Sequence, residues 1–115
     1  MSDFDSIITE AHDAGMEAVN NLNVKPMAVF GDGKFYHVAD GVCGFAWVNV
    51  KPGTSRFAKW LVSTRRADRD SYAGGVTIWI SDFNQSMQKK ETYARAYAEV
   101  LLKHNIRAYA ASRMD

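Results

Sequence analysis

Val42-Cys43-Gly44-Phe45-Ala46-Trp47-Val48-Asn49-Val50 is the stretch on which the fold of this chain turns. It carries no charge, is rich in valine and aromatic residues, and lies between the turn signal Asp40-Gly41 and the breaker Lys51-Pro52-Gly53. Those features predict the longest strand of the chain. Alternation along a strand puts Cys43, Phe45, Trp47 and Asn49 on one side and Val42, Gly44, Ala46, Val48 and Val50 on the other. The small, aliphatic side suits packed helices. The ring-bearing side is then left for solvent or a partner.

Toward the N-terminus, Lys34–Val38 and Val24–Phe30 are β-prone runs joined by Gly31-Asp32-Gly33, a glycine-bearing connection of hairpin type. With Val42–Val50 they predict a three-stranded antiparallel meander. Before them, residues 3–22 place Phe4, Ile7, Ile8, Ala11, Ala18, Val19 and Leu22 at the three-to-four spacing of an amphipathic helix. Asp3 and Asp5 suit its positive end, and Asn20, Asn21 and Asn23 close it.

Toward the C-terminus, Thr54 or Ser55 is placed to cap a short helix running to about Val62, with Phe57, Trp60 and Leu61 on one side. Residues 63–75 are polar, end in Gly74-Gly75 and read as a loop. Val76–Ser81 alternates like a strand with one buried face. Asp82 and Gln85 form a capping-box pattern that opens a long helix to about His104, and Asn105 is a left-handed stop. Ile106–Ala111 reads as a last strand, and a strand-helix-strand ending is expected to give parallel neighbours. The order is α-β-β-β-α-β-α-β. The expected fold class is α+β, a single domain over residues 1–115, with a mixed, mainly antiparallel five-stranded sheet and about three helices gathered mainly on one face.

A composition that is 47% hydrophobic and 23% charged over 115 residues is that of an ordinary globular domain, long enough to fold without disulfides or a structural metal. The lone Cys43 has no intrachain partner and points to a reducing compartment. The acidic opening, with Asp3, Asp5, Glu10, Asp13 and Glu17 and no Lys or Arg before residue 23, is the opposite of a basic secretory leader, and no apolar run suits a membrane span. Net charge is +1, but the acidic start leaves fourteen Lys and Arg against eight acids in the remainder. Such segregation suits partner selection, or simply acids at a helix start.

Several constellations bear on chemistry. Cys43 with His37 is the nearest approach to a nucleophile and base, but no third group orients it, and a packed thiol beside a surface histidine explains both residues. His12, His37, His104 and Cys43 show no metal-ligand spacing, so neither a metal nor a cofactor is expected. Gly31-Asp32-Gly33 and Gly74-Gly75 lack the loop-then-helix pattern of phosphate-cradling fingerprints and read as turns. Asp68, Asp70 and Asp82 are explained by loop and cap positions. Tyr93, Tyr97, Val100 and Leu101 form a helical core stripe.

Cys43–Val50 loosely resembles the aromatic octapeptide of RNA-recognition-motif domains, in which alternating aromatics on a sheet stack on bases. Gly44, Phe45, Ala46 and Val48 fit; Cys43 stands where that pattern has a basic residue, and Val50 where it has its last aromatic. The densest basic stretch follows: Lys51, Arg56, Lys59, Arg65, Arg66 and Arg69, opposed only by Asp68. Arginines beside aromatics suit a phosphate backbone with stacked bases, so Phe45, Trp47, Arg56, Lys59, Arg65, Arg66 and Arg69 are the candidate binding residues. The competing reading makes the bases a solvated surface and the rings core.

The chain as a whole resembles an uncharacterised family of small proteins of tailed bacteriophages. The resemblance rests on Gly41-Val42-Cys43-Gly44-Phe45-Ala46-Trp47-Val48, on Tyr72-Ala73-Gly74-Gly75-Val76-Thr77-Ile78-Trp79, on Phe83-Asn84-Gln85-Ser86-Met87 and on Ala108-Tyr109-Ala110-Ala111-Ser112-Arg113-Met114-Asp115. It implies a phage origin and the host bacterial cytoplasm, without a mechanism. The expected function is that of a non-enzymatic accessory protein that binds a macromolecule, single-stranded nucleic acid being one candidate, through the sheet aromatics and the basic segment 51–69. The alternative is an interaction or virion-associated module that meets a host protein or another copy of itself.

Overall fold

A computed structural model of the chain describes residues 3–22, 44–81, 83 and 87–114. These form helix α1 (Asp3–Asn20), strand β1 (Gly44–Lys51), helix α2 (Arg56–Ser63), strands β2 (Asp68–Arg69) and β3 (Val76–Trp79), helix α3 (Met87–Lys103) and strand β4 (Arg107–Met114). The fold is α+β. Its sheet, among the described residues, has the order β2-β3-β1-β4, with every neighbouring pair antiparallel.

β1 is central because both of its edges are paired. It pairs with β4 over its full length, from Gly44 opposite Met114 to Lys51 opposite Arg107, and with β3 from Trp47 opposite Trp79 to Val50 opposite Val76. Ala46, Val48 and Val50 are fully buried against the helices. Burying a valine of this kind contributes about 1.5–3 kcal/mol. Ala58, Leu61, Val76, Ala94 and Leu101 complete that core.

Local signals set the helix ends. Ser55 caps α2 by accepting the Ala58 amide at 3.1 Å. At the end of α2 the Arg66 amide reaches back to the Leu61 carbonyl at 2.8 Å and the Arg65 amide to Val62 at 3.0 Å. Arg65 therefore takes the left-handed position, φ 64°, that glycine usually holds. The same motif ends α3, where the left-handed residue is Asn105, φ 65°, as the sequence predicts. α1 lies closely on α3 through Gly15, where an added Cβ would come within 2.7 Å of the Tyr93 ring. Phe4 of α1 meets Phe57 of α2 edge-on, with centroids 5.2 Å apart.

The described residues differ from the sequence reading in four ways. The expected strands Val24–Phe30 and Lys34–Val38 lie outside the described residues, as do Val42 and Cys43 of the third, so the described sheet has four strands and is antiparallel throughout instead of mixed. The strands flanking α3 are not neighbours: β1, the most apolar run, lies between them, so β3 and β4 run parallel but apart. The polar stretch 63–75 contains β2, a two-residue strand pairing Asp68 with Thr77 and Arg69 with Val76. It follows from the turn at Asp70, and no periodicity announces so short a pairing. Finally, α3 is described from Met87 and Phe83, at φ 69°, is not part of it, while the expected capping residues Asp82 and Gln85 lie outside the described residues.

Candidate functional site

β-alternation and register together build the open face of the sheet. Opposite the helices, β1 presents Phe45, Trp47, Asn49 and Lys51, β3 presents Thr77 and Trp79, and β4 presents Arg107, Tyr109, Ala111 and Arg113. Their cross-strand rows are Arg113 with Phe45, Ala111 with Trp47 and Trp79, Tyr109 with Asn49 and Thr77, and Arg107 with Lys51. The face thus carries four rings between basic residues at its two ends.

The rings interact. Trp47 and Trp79 have centroids 5.2 Å apart with planes tilted by 52°. The Arg113 guanidinium lies 5.8 Å from the centre of the Phe45 ring and the Lys51 ammonium 5.5 Å from that of Tyr109. Phe45 and Trp47 are half-buried, whereas Trp79 is 54% and Tyr109 45% exposed. A cavity of about 640 Å³ is lined by these four rings, with Ala111 as floor and Arg113 at one rim.

The opposite rim is the segment 70–75. The Asp70 carboxylate accepts the Tyr72 and Ala73 amides at 2.9 and 2.8 Å through one oxygen and the Thr77 hydroxyl at 3.0 Å through the other. The Ala73 and Tyr72 amides, then the Thr77 hydroxyl and the Lys51 charge, hold its carboxyl below the usual carboxylate range. Gly75, φ 69°, presses on β1 so closely that a Cβ there would stand 2.3 Å from the Val50 carbonyl oxygen. Asn49 is fully buried under this segment and donates to the Gly74 carbonyl at 3.0 Å. The segment leaves Tyr72 98% exposed on the cavity rim.

Lys90 of α3 reaches the other end of the face. It is buried, donates to the Gly44 carbonyl at 3.3 Å and lies 5.8 Å from the Phe45 ring centre.

Of the candidate binding residues, Phe45 and Trp47 meet in the cavity, which no residue of the described helices lines. Arg56, Lys59, Arg65, Arg66 and Arg69 do not line it. Arg56 and Lys59 are exposed on α2, and Arg65 is exposed at its end. Arg66 stacks over Trp60 at 4.7 Å and pairs with Asp5 at 3.6 Å, while Arg69 donates to the Gly53 carbonyl at 3.0 Å. Trp79, Tyr109, Tyr72 and Arg113 were missed as site residues. Trp79 shows in the alternation of its own strand, but only the pairing register reveals that it shares a row with Trp47.

Other polar clusters are structural in character. Glu10 binds Lys103 and His104, and the hydrogen bonds from those two side chains lower its pKa. This ties α1 to the end of α3. His12 Nδ1 lies 2.6 Å from the Tyr93 hydroxyl. His37, Cys43 and Asp82 lie outside the described residues, so the thiol–imidazole pairing does too. No group of three or more His, Cys, Asp and Glu converges among the described residues. No described helix is long and apolar enough to cross a membrane. Comparison with protein-family models, with curated proteins and with solved structures finds no match to the chain.

Proposed function

We propose that this chain is a small non-enzymatic accessory protein of phage origin that binds single-stranded nucleic acid on the open face of its sheet, in the host bacterial cytoplasm. The observation that carries the reading is one row of side chains. Trp47 and Trp79, paired across two strands on the face opposite the described helices, are flanked by Phe45 beneath Arg113 and Tyr109 beneath Lys51. Every base has a face that stacks on such rings, at about 1–3 kcal/mol per base, and cations beside the rings meet the phosphates. The origin and location rest on the sequence resemblance.

Of the basic segment 51–69, this reading uses Lys51 most directly. Arg56, Lys59 and Arg65 supply a general positive field and Arg113 the local contact. The test is quenching of tryptophan fluorescence by short single-stranded DNA or RNA at low salt. Binding that weakens with salt and is lost in Trp79→Ala supports the reading; absence of any quenching at low salt overturns it.

A second reading, an interaction module that meets a host protein or a second copy of this chain, is favoured by the outer edge of β4. This eight-residue strand ends the sheet order and is paired on one side only among the described residues. Light scattering behind size-exclusion chromatography separates the two: a dimer that Ala110→Pro dissolves favours edge pairing.

A further inference from the structure

Beyond the aromatic cavity, a second concavity of about 520 Å³ lies where β1 leaves the sheet and β4 enters it. Its rim carries Lys51 and Arg107, its apolar wall Phe57, Leu102 and Ile106, and Asn105 adds a neutral polar group; among the described residues no carboxylate lines it. Lys51 and Arg107 are directly opposed cross-strand partners. Like charges in that position repel and destabilise a sheet. Among the described residues no ion pair joins either of them to an acid: the ion pairs there join Arg66 to Asp5 and Lys103 and His104 to Glu10. The Asp70 carboxylate attracts Lys51 through space without a direct ion pair, while its oxygens accept the Tyr72 and Ala73 amides and the Thr77 hydroxyl.

We propose that Lys51 and Arg107 form a phosphate subsite at the end of the aromatic platform, holding the phosphate of a nucleotide whose neighbours stack on the rings. The inference rests on the nucleic-acid reading and deepens it. Strand pairing sets the two cationic residues side by side, and their charge suits a phosphate, to which arginine offers a planar fork and lysine a point charge. The half-exposed Leu102, with Phe57 and Ile106, gives the attached sugar or base an apolar surface. Platform and subsite adjoin, since the Lys51 ammonium sits over Tyr109, which itself lines the aromatic cavity. Arg107 and Arg113 lie six residues apart on β4, roughly 20 Å at the rise of a strand, so the rings lie between two cationic ends.

Two measurements test this. Inorganic tripolyphosphate, followed by NMR, is expected to shift the Arg107 side-chain and the Lys51 and Arg107 backbone signals while leaving the Trp47 and Trp79 indoles in place. In Lys51→Gln/Arg107→Gln, the slope of log affinity for an oligonucleotide against log salt is expected to fall by about 0.7, one single-strand phosphate contact. Tripolyphosphate shifts in a chain that binds no oligonucleotide would uphold the subsite while the nucleic-acid reading fails. Oligonucleotide binding with an unaltered salt slope, or tripolyphosphate shifts confined to α2, would overturn the subsite and leave the platform standing.

Discussion

Trp47 and Trp79 stand directly opposite each other on adjacent antiparallel strands, ring centres 5.2 Å apart, on the side of the sheet that the helices leave open. A pair of this kind gives about 0.5–1.5 kcal/mol beyond its area burial. Trp79 is half-exposed, so Trp79→Ala is expected to lower stability by no more than about 2 kcal/mol and to leave a cooperative urea transition. The same change should weaken single-stranded oligonucleotide binding about 5- to 150-fold, the equivalent of one lost stacking partner. Titration of the folded variant decides it, and undiminished affinity would remove Trp79 from the platform.

Gly15 is where α1 comes closest to α3. A Cβ there meets the ring of buried Tyr93 at 2.6 to 3.0 Å, and that ring is itself held by Phe83 and Tyr97. Helix propensity alone predicts that Gly15→Ala stabilises by about 1 kcal/mol. Overpacking against an aromatic ring without room to retreat costs about 1–3 kcal/mol. The net expectation is destabilisation, read as a lower urea midpoint, whereas a raised midpoint would show that the two helices yield at this contact.

Arg65 occupies the left-handed position that ends α2, and its side chain is exposed. Placing a non-glycine residue there costs about 1 kcal/mol. Arg65→Gly is therefore expected to raise stability by up to that amount, less what the added backbone freedom of the unfolded chain takes back, while Arg65→Ala should be near neutral. Thermal unfolding of the two variants compared with the parent checks this. A Gly variant less stable than the Ala variant would contradict the cap geometry.

Much of this architecture could be read from residue order, because it is set by local chemistry. The alternation of Val42–Val50 fixed which side of β1 faces the helices, the Ser55 cap and the Asn105 stop were each visible in place, and the stripe of Tyr93, Tyr97 and Leu101 is the buried one. What escaped reading depends on pairing. Neither the central position of β1 nor the meeting of Trp47 with Trp79 is encoded within any one segment. The site was half legible for the same reason: Phe45 and Trp47 share a strand, but Tyr109 and Arg113 join them only through the β1–β4 register. Proximity in sequence does not show that Arg56, Lys59, Arg65, Arg66 and Arg69 stand outside the cavity, since α2 and the segment after it carry them away from its lining.

Tyr97 lends the protein a pH dependence at its alkaline end. Its ring is buried in the α3 stripe beside Tyr93, and burial pushes its phenol up to about 12, against a smaller opposing pull from the Arg66 charge. An exposed tyrosine in the unfolded chain ionises near pH 10. Below that pH the phenol is protonated in both states and its contribution is fully present. As pH rises from about 10 to about 12, the unfolded chain loses this proton while the folded chain keeps it, so stability falls by up to about 3 kcal/mol. Tyr97→Phe removes the proton and with it this part of the loss. Urea midpoints measured between pH 9 and pH 12, a range bracketing the two ionisations, should therefore fall more steeply for the parent than for Tyr97→Phe, and parallel curves would mean that Tyr97 is free to ionise in the folded protein.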